Sequence, residues 1–192
     1  SSSSVYGKNK KIPFSILDRV EEPISIYAAT KKSNELMAHV YNHIYGLRST
    51  GLRFFSVYGP WGRPDMAIYI FTEKILRNET ISVFNHGNMR RDFTYIDDIV
   101  EGIKTSIKKN YSNKIFNLGN NKAESLMDII SLIEKSLGKK ARVNFKGMQP
   151  GDVKETLSDI EESRIKLDFY PKISIKEGMA SFIEWYKSYH NI

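Results

Sequence analysis

Leu52-Arg53-Phe54-Phe55-Ser56-Val57-Tyr58 is a run of aromatic and branched residues halted by Gly59-Pro60, and such a run predicts a strand stopped by a turn. On either side of it the apolar residues change to helical spacing. Upstream, Pro23 and Ser25 introduce a helical segment reaching about Tyr45, with Leu36, Met37, Val40, Tyr41 and Ile44 three or four apart. Downstream, a helix is expected over 66–76, then short strands over 81–84 and 91–96 around a Gly87-Asn88 turn. Asp97 or Asp98 would cap a helix with the stripe Ile99, Val100, Ile103 and Ile107. A strand over 115–118 follows. Next comes a helix over 125–137 with Leu126, Ile129, Ile130 and Ile133 inward and Gly138 as its stop. A strand is expected over 141–145. Ser174 and Glu177 have capping-box spacing ahead of a last helix with the stripe Ile175, Met179, Phe182, Ile183 and Tyr186. Strands interleaved with helices argue an α/β protein with a largely parallel sheet. From about Asn120 the helices carry most of the apolar content, which points to a smaller lobe packed on that sheet.

Composition removes several classes of function. The chain has 192 residues, no Cys, 41% hydrophobic and 27% charged residues, the balance of a globular protein that buries a core. Without Cys there are no disulfides, thiolate zinc sites or thiol nucleophiles, and no metal site is expected. No apolar run is long enough to span a bilayer, and no secretory leader opens the sequence, so a cytoplasmic protein without a membrane partner is expected. The net charge is +7. The lysines behind it come as scattered pairs, Lys31-Lys32, Lys108-Lys109 and Lys139-Lys140. They make no single basic stripe, and no nucleic-acid partner is expected.

The residues that carry chemistry stand near the start. Ser1-Ser2-Ser3-Ser4-Val5-Tyr6-Gly7 reads as the end of a buried strand entering a turn, and Tyr27-Ala28-Ala29-Thr30-Lys31 follows twenty residues later. Tyr27 and Lys31, four apart on a helix, share a face. A free tyrosine, with a pKa near ~10, is a poor base at neutral pH. An ammonium one turn away stabilises the phenolate, and a serine hydroxyl from a facing strand end can bond both phenolate and substrate hydroxyl. Such a group can take a proton from an alcohol as hydride leaves its carbon. Tyr and Lys at this spacing also occur by chance on many helices. The preceding serine cluster is what makes the pattern specific.

That constellation resembles the extended short-chain dehydrogenase/reductases that modify nucleotide sugars. The segment from Thr50 to Ala67, with Tyr58-Gly59-Pro60-Trp61-Gly62-Arg63-Pro64-Asp65-Met66-Ala67 at its end, narrows the resemblance to bacterial UDP-glucuronate 4-epimerases. Arg90-Arg91-Asp92-Phe93-Thr94-Tyr95-Ile96-Asp97-Asp98 and Met148-Gln149-Pro150-Gly151-Asp152 do the same. The similarity runs from Ser1 to about Tyr186. It implies the C-terminal part of a Rossmann-type doubly wound parallel sheet plus a smaller mixed α/β substrate-binding lobe. Residues 1–62 would belong to an incomplete NAD-binding domain. Residues 63–192 would form mainly the UDP-sugar lobe, with segments around 92–118 returning to the sheet. No Gly-rich phosphate cradle occurs in the chain, which therefore reads as lacking the N-terminal nucleotide-binding half and as inactive alone.

Carried over position by position, the resemblance makes Ser2, Tyr27 and Lys31 catalytic. Tyr27, Lys31, Phe54 and Phe55 would face NAD. Ser3, Ser4, Ser56, Arg63, Arg91 and Asp152 would hold the UDP-sugar. Ser3 and Ser4 stand where related dehydratases carry Asp and Glu, which favours oxidation and re-reduction without elimination. Ser56 with Arg63 would cradle a C6 carboxylate, Arg91 the pyrophosphate, and Asp152 the uridine ribose. Structural alternatives are that Arg91 pairs with Asp92 or Asp97 and that Phe54 and Phe55 are core residues. The implied activity is NAD-dependent interconversion of UDP-glucuronate and UDP-galacturonate at C4, supplying capsule or surface polysaccharide, in a full-length homodimer. A non-catalytic remnant, another nucleotide-sugar epimerase or a UDP-glucuronate decarboxylase remain as alternatives.

Overall fold

A computed structural model describes residues 1–192. Its architecture is α/β, in three small sheets. The expected single strand over 52–58 is two strands, β1 (Thr50–Phe54) and β2 (Ser56–Tyr58), because the chain changes partner at Phe55. β1 pairs in parallel with β5 (Lys114–Leu118), and β2 pairs in parallel with β4 (Arg90–Tyr95). Phe55, between them, donates its amide to Leu118 O at 3.1 Å, so the switch costs no hydrogen bond. β3 (Thr80–Val83) pairs in parallel with β7 (Arg142–Phe145). β6 (Ala123–Ser125), a short strand without periodic signal in the sequence, pairs antiparallel with β4.

The helices are α1 (Ile26–Tyr45), α2 (Ala67–Leu76), α3 (Ile96–Lys109), α4 (Leu126–Leu137), α5 (Glu161–Leu167) and α6 (Ile175–His190). Ser25 caps α1 by accepting from Ala28 N at 3.1 Å. The capping box on α6 is present in both directions. All the stripe residues expected on α4 and α6 are buried, in one core with α2, β3 and β4. Gly178 lets α6 approach β2 and β4: a Cβ there would lie 2.2 Å from the Tyr58 hydroxyl. A second core gathers Ile99, Phe116, Leu118, Ile160, Leu167 and Phe169. A third gathers Val5, Tyr6, Phe14, Val20 and Phe55.

Three expectations are corrected. α3 is capped by neither aspartate. Tyr95 is its N-cap residue, and both aspartates lie in the first turn, where their charge suits the helix dipole. Asp98 turns away to accept from Lys172 N and Ile173 N at 3.0 Å each, pinning the approach to α6. Val100 and Ile107 face solvent; the buried side of α3 carries Ile99, Gly102 and Ser106. On α1 the regular apolar stripe Leu36, Met37, Val40, Tyr41 and Ile44 is exposed, and only Ala28 and Glu35 are buried.

Asp92 organises the loops around β4. Its Oδ2 accepts from Ser158 N (2.9 Å), Ser158 Oγ (2.5 Å) and Asn121 N (3.1 Å). Its Oδ1 accepts from Asn120 N (2.6 Å) and Thr94 Oγ1 (3.2 Å). Only a group that accepts at both oxygens satisfies this arrangement. Asp92→Asn turns an amide NH2 on to backbone N–H groups in either orientation. The variant should lose about 2–4 kcal/mol of unfolding free energy by urea titration, the cost of one or two unsatisfied buried donors; a change below ~1 kcal/mol would contradict the clamp.

Candidate functional site

The serine cluster is a tight turn. Ser2 touches the sheet through one parallel bridge to Phe54, and the chain then winds into a 3-10 turn over Ser3–Tyr6 closed by Gly7 at φ 53°. The expected strand end is thus a single bridge. Ser2 Oγ accepts from Ser4 N at 3.2 Å and Ser4 Oγ at 3.0 Å, as serines do in such turns. No hydrogen bond joins Ser2 to Tyr27.

Tyr27 is the second residue of α1, with half its surface exposed. Lys31 Nζ lies 5.5 Å from the centre of its ring, so the four-residue spacing brings phenol and ammonium together on one helical face. Phe54 is half-buried beside β5, and Phe55 is buried against Tyr6 and Phe14. Phe55 therefore has a core role in this fold.

A buried network places these parts relative to one another. Arg53, in the middle of β1, donates to both oxygens of Glu35 on α1, Nε to Oε1 at 2.8 Å and Nη2 to Oε2 at 3.0 Å. Both side chains are almost wholly buried. Ser1 Oγ donates to Glu35 Oε1 at 2.6 Å, tying the serine cluster to the same carboxylate. Arg53 Nη1 donates to the Tyr6 hydroxyl (3.1 Å), which donates to Asn117 Oδ1 on β5 (2.7 Å). Asn117 Nδ2 in turn donates to the Phe14 and Asp159 carbonyls. Sequence reading passed over Glu35, Arg53, Tyr6 and Asn117. The signal was there in Arg53, a charge inside an otherwise apolar strand that needs a buried partner.

The residues expected to hold the sugar gather around two adjoining clefts. The larger, of about 620 Å³, is lined by Ser56, Arg63, Asp65, Arg91, Gln149 and Asp152 among others, over an apolar floor from α2, β2 and β4. The smaller, about 160 Å³, is lined by Ser3, Ser4, Ser25, Ser56, Arg91 and Asp152. Ser56, Arg91 and Asp152 border both. Ser25 caps the helix on which Tyr27 sits, so the start of α1 stands at the rim of the smaller cleft. The structure thus brings together Ser3, Ser4, Ser56, Arg63, Arg91 and Asp152, while Ser2, Tyr27, Lys31, Phe54 and Phe55 line neither cleft.

Arg91 pairs with neither Asp92 nor Asp97. Its Nη2 donates to Asp152 Oδ1 at 2.7 Å and Val153 O at 2.5 Å, and Nη1 to Lys154 O at 3.1 Å. Asp92 is already saturated by the loops. Arg63 follows the Gly59-Pro60 turn and Trp61, which adopts a left-handed φ of 63°. It meets Asp65 fork to fork, at 3.0 and 2.9 Å, with both side chains largely in water.

Residues 1–119 match the NAD dependent epimerase/dehydratase family. The chain belongs to that family. It is 50% identical over 208 residues to the protein CapI of Staphylococcus aureus, covering 99% of this chain and 62% of CapI. It is 47% identical to UDP-glucuronate 4-epimerase 3 of Arabidopsis thaliana, covering all of this chain and 48% of that one. A crystal structure of UDP-glucuronic acid 4-epimerase from Bacillus cereus, in complex with UDP-glucuronic acid and NAD, superposes with a TM-score of 0.92 at 37% identity, over 98% of this chain and 60% of that one. The chain therefore spans about half to three-fifths of the length of these relatives. No helix is long and apolar enough to cross a membrane.

The pair at the centre of the network carries a pH signature. Burial alone would push the Glu35 carboxyl up, but the hydrogen bonds from Arg53 and Ser1 and the Arg53 charge outweigh it and hold it at about 2, against 4.5 ordinarily. A depressed carboxylate stabilises the fold fully above its unfolded pKa and loses that contribution as pH falls through its folded one. Stability should therefore fall between pH 4.5 and 2 in the native protein, and less steeply in Glu35→Gln. At neutral pH Glu35→Gln should cost about 3–5 kcal/mol, because it leaves the Arg53 charge buried and unpaired. Parallel acid-unfolding slopes for the two proteins would contradict the assignment.

Proposed function

We propose that this chain carries the substrate-binding and acid–base residues of a UDP-hexuronate 4-epimerase acting on UDP-glucuronate, with NAD as its redox partner. The observation behind the reading is one cleft lined by two guanidiniums, Arg63 and Arg91, with Ser56 and Asp152 on the same lining. Two separated cations suit a ligand with two separated anions, a carboxylate and a diphosphate. A relative named as a UDP-glucuronate 4-epimerase at 47% identity over the whole chain supports the same substrate. So do hydroxyls at Ser3 and Ser4, which offer no extra carboxyl acid for elimination.

The residues at hand fit the nicotinamide end of the cofactor. Tyr27 is half exposed with a cation beside it, the donor set that an alcohol oxidation needs. Bound NAD would supply the acceptor for a hydride leaving C4 of the sugar and the donor for its return. Tyr27 takes the proton of the 4-hydroxyl, and Lys31 places its charge where a phenolate benefits. Arg91 retains the diphosphate while the 4-keto sugar turns to present its other face. Tyr27 then gives the proton back to an inverted 4-hydroxyl. Arg63 and Ser56 hold the carboxylate of the seated sugar, off the geometry in which a β-keto acid releases carbon dioxide. Residues 1–62, with the returning strand β5, are assigned to the dinucleotide side and the remainder mainly to the sugar side. The exposed apolar stripe on α1 supports a homodimer. UDP-galacturonate made this way would feed surface polysaccharide assembly.

The proposal is tested by contrast. Tyr27→Phe in the complete gene product should remove nearly all turnover yet bind UDP-glucuronate within about twofold of the native protein, since one phenol proton is the group lost. By calorimetric titration, Arg63→Ala should weaken UDP-glucuronate by about tenfold and leave UDP-glucose nearly unchanged, as for loss of one charged hydrogen-bonded pair. Arg91→Ala should weaken both sugars alike. Equal harm to both sugars from Arg63→Ala would sink the uronate assignment.

A further inference from the structure

We propose that Asp65 is an internal stand-in for the ligand's carboxylate, a specificity-determining residue that occupies the Arg63 fork until a uronate displaces it. The inference rests on the reading of Arg63 given above and goes beyond it. Arg63 meets Asp65 through two near-parallel bonds, Nε to Oδ1 at 3.0 Å and Nη2 to Oδ2 at 2.9 Å. This is the bidentate geometry in which a guanidinium receives a ligand carboxylate. Both residues line the larger cleft. Asp65 thus puts a negative charge on the wall of a cavity suited to an anion, where it would otherwise repel the ligand.

The local sequence holds the pair in place. Arg63-Pro64-Asp65 sets donor and acceptor two residues apart across a proline, whose fixed φ keeps the separation short. Met66, the N-cap residue of α2, follows directly, and its amide donates to Arg63 O at 3.1 Å. The two side chains are each 69% exposed. An exposed ion pair contributes little net stability because water and salt screen it. Exchange of one carboxylate for another at Arg63 is therefore cheap. A similar pairing recurs at the other guanidinium of the cleft, where Asp152 meets Arg91. There the guanidinium is also fastened to backbone carbonyls and is mostly buried. Only Arg63 is free to change partner.

The consequence is a reduced preference. With Asp65 present, a neutral sugar leaves Arg63 paired, and a uronate gains only the difference between two carboxylates. Removing the stand-in should sharpen discrimination. By titration of the complete gene product, Asp65→Asn should tighten UDP-glucuronate by about threefold to fivefold, the value of one exposed ion pair no longer to be broken. UDP-glucose and UDP should stay within about twofold, because neither presents a carboxylate. The tightening should shrink in molar salt, and Asp65→Ser should reproduce it. In Arg63→Ala, Asp65→Asn should no longer favour the uronate selectively. Unchanged or weaker uronate binding in Asp65→Asn, or equal tightening of UDP-glucose, would overturn the inference. If Arg63→Ala weakens UDP-glucuronate while Asp65→Asn does not tighten it, the carboxylate role of Arg63 stands and the stand-in falls. If Arg63→Ala spares UDP-glucuronate, both fall.

Discussion

A single buried ion pair decides how α1, with Tyr27 and Lys31 on it, sits against the sheet. Arg53 and Glu35 join the centre of β1 to the inner face of α1. That helix has almost nothing else to dock with, since its inward positions are Ala28 and Glu35. Burying two charges is costly unless geometry and hydrogen bonding are complete. Here the carboxylate takes both arms of a guanidinium and the Ser1 hydroxyl, and the guanidinium spends a third donor on Tyr6. An apolar interface would let the helix slide or rotate at small cost. A forked pair has one register. Tyr27 and Lys31, two turns and one turn before Glu35, inherit that register.

From there the layout follows. Tyr6 and Asn117 carry the network to β5 and to the loops ending at Phe14 and Asp159. Asp92 gathers the adjoining loops at Asn120, Asn121 and Ser158. Between the two, the change of partner at Phe55 turns β2 toward β4 and sets Ser56 at the meeting of both clefts. The two arginines of the larger cleft then differ by their anchoring. Arg91 is fastened on several sides and mostly buried, whereas Arg63 holds one largely exposed carboxylate partner.

Much of this was legible in the residues. The stripes on α4 and α6 are long and regular, and both were placed correctly because periodic burial is what a sequence records best. The capping box on α6 was visible for the same local reason. The resemblance names Ser3, Ser4, Ser56, Arg63, Arg91 and Asp152 together, and the structure lines one pair of clefts with them. Other features were hidden because their partners are far away in the chain. Glu35 and Arg53 are eighteen residues apart, and Tyr6 and Asn117 one hundred and eleven. The α1 stripe misled in the opposite sense: its periodicity is sound, yet the face lies in solvent, because spacing says which residues share a side and not which side is covered. The aspartates at 97 and 98 were mistaken for caps because a first-turn acid and a capping acid look alike in sequence.

We propose that the two guanidiniums of one cleft divide a uronate nucleotide between them. A crystal structure of the protein with UDP-glucuronate tests it most directly. The sugar carboxylate is expected on Arg63 at about 2.7–2.9 Å, with Asp65 displaced from the fork and the diphosphate on Arg91. A carboxylate pointing to solvent with the Arg63–Asp65 pair intact, or a diphosphate seated on Arg63, would contradict it.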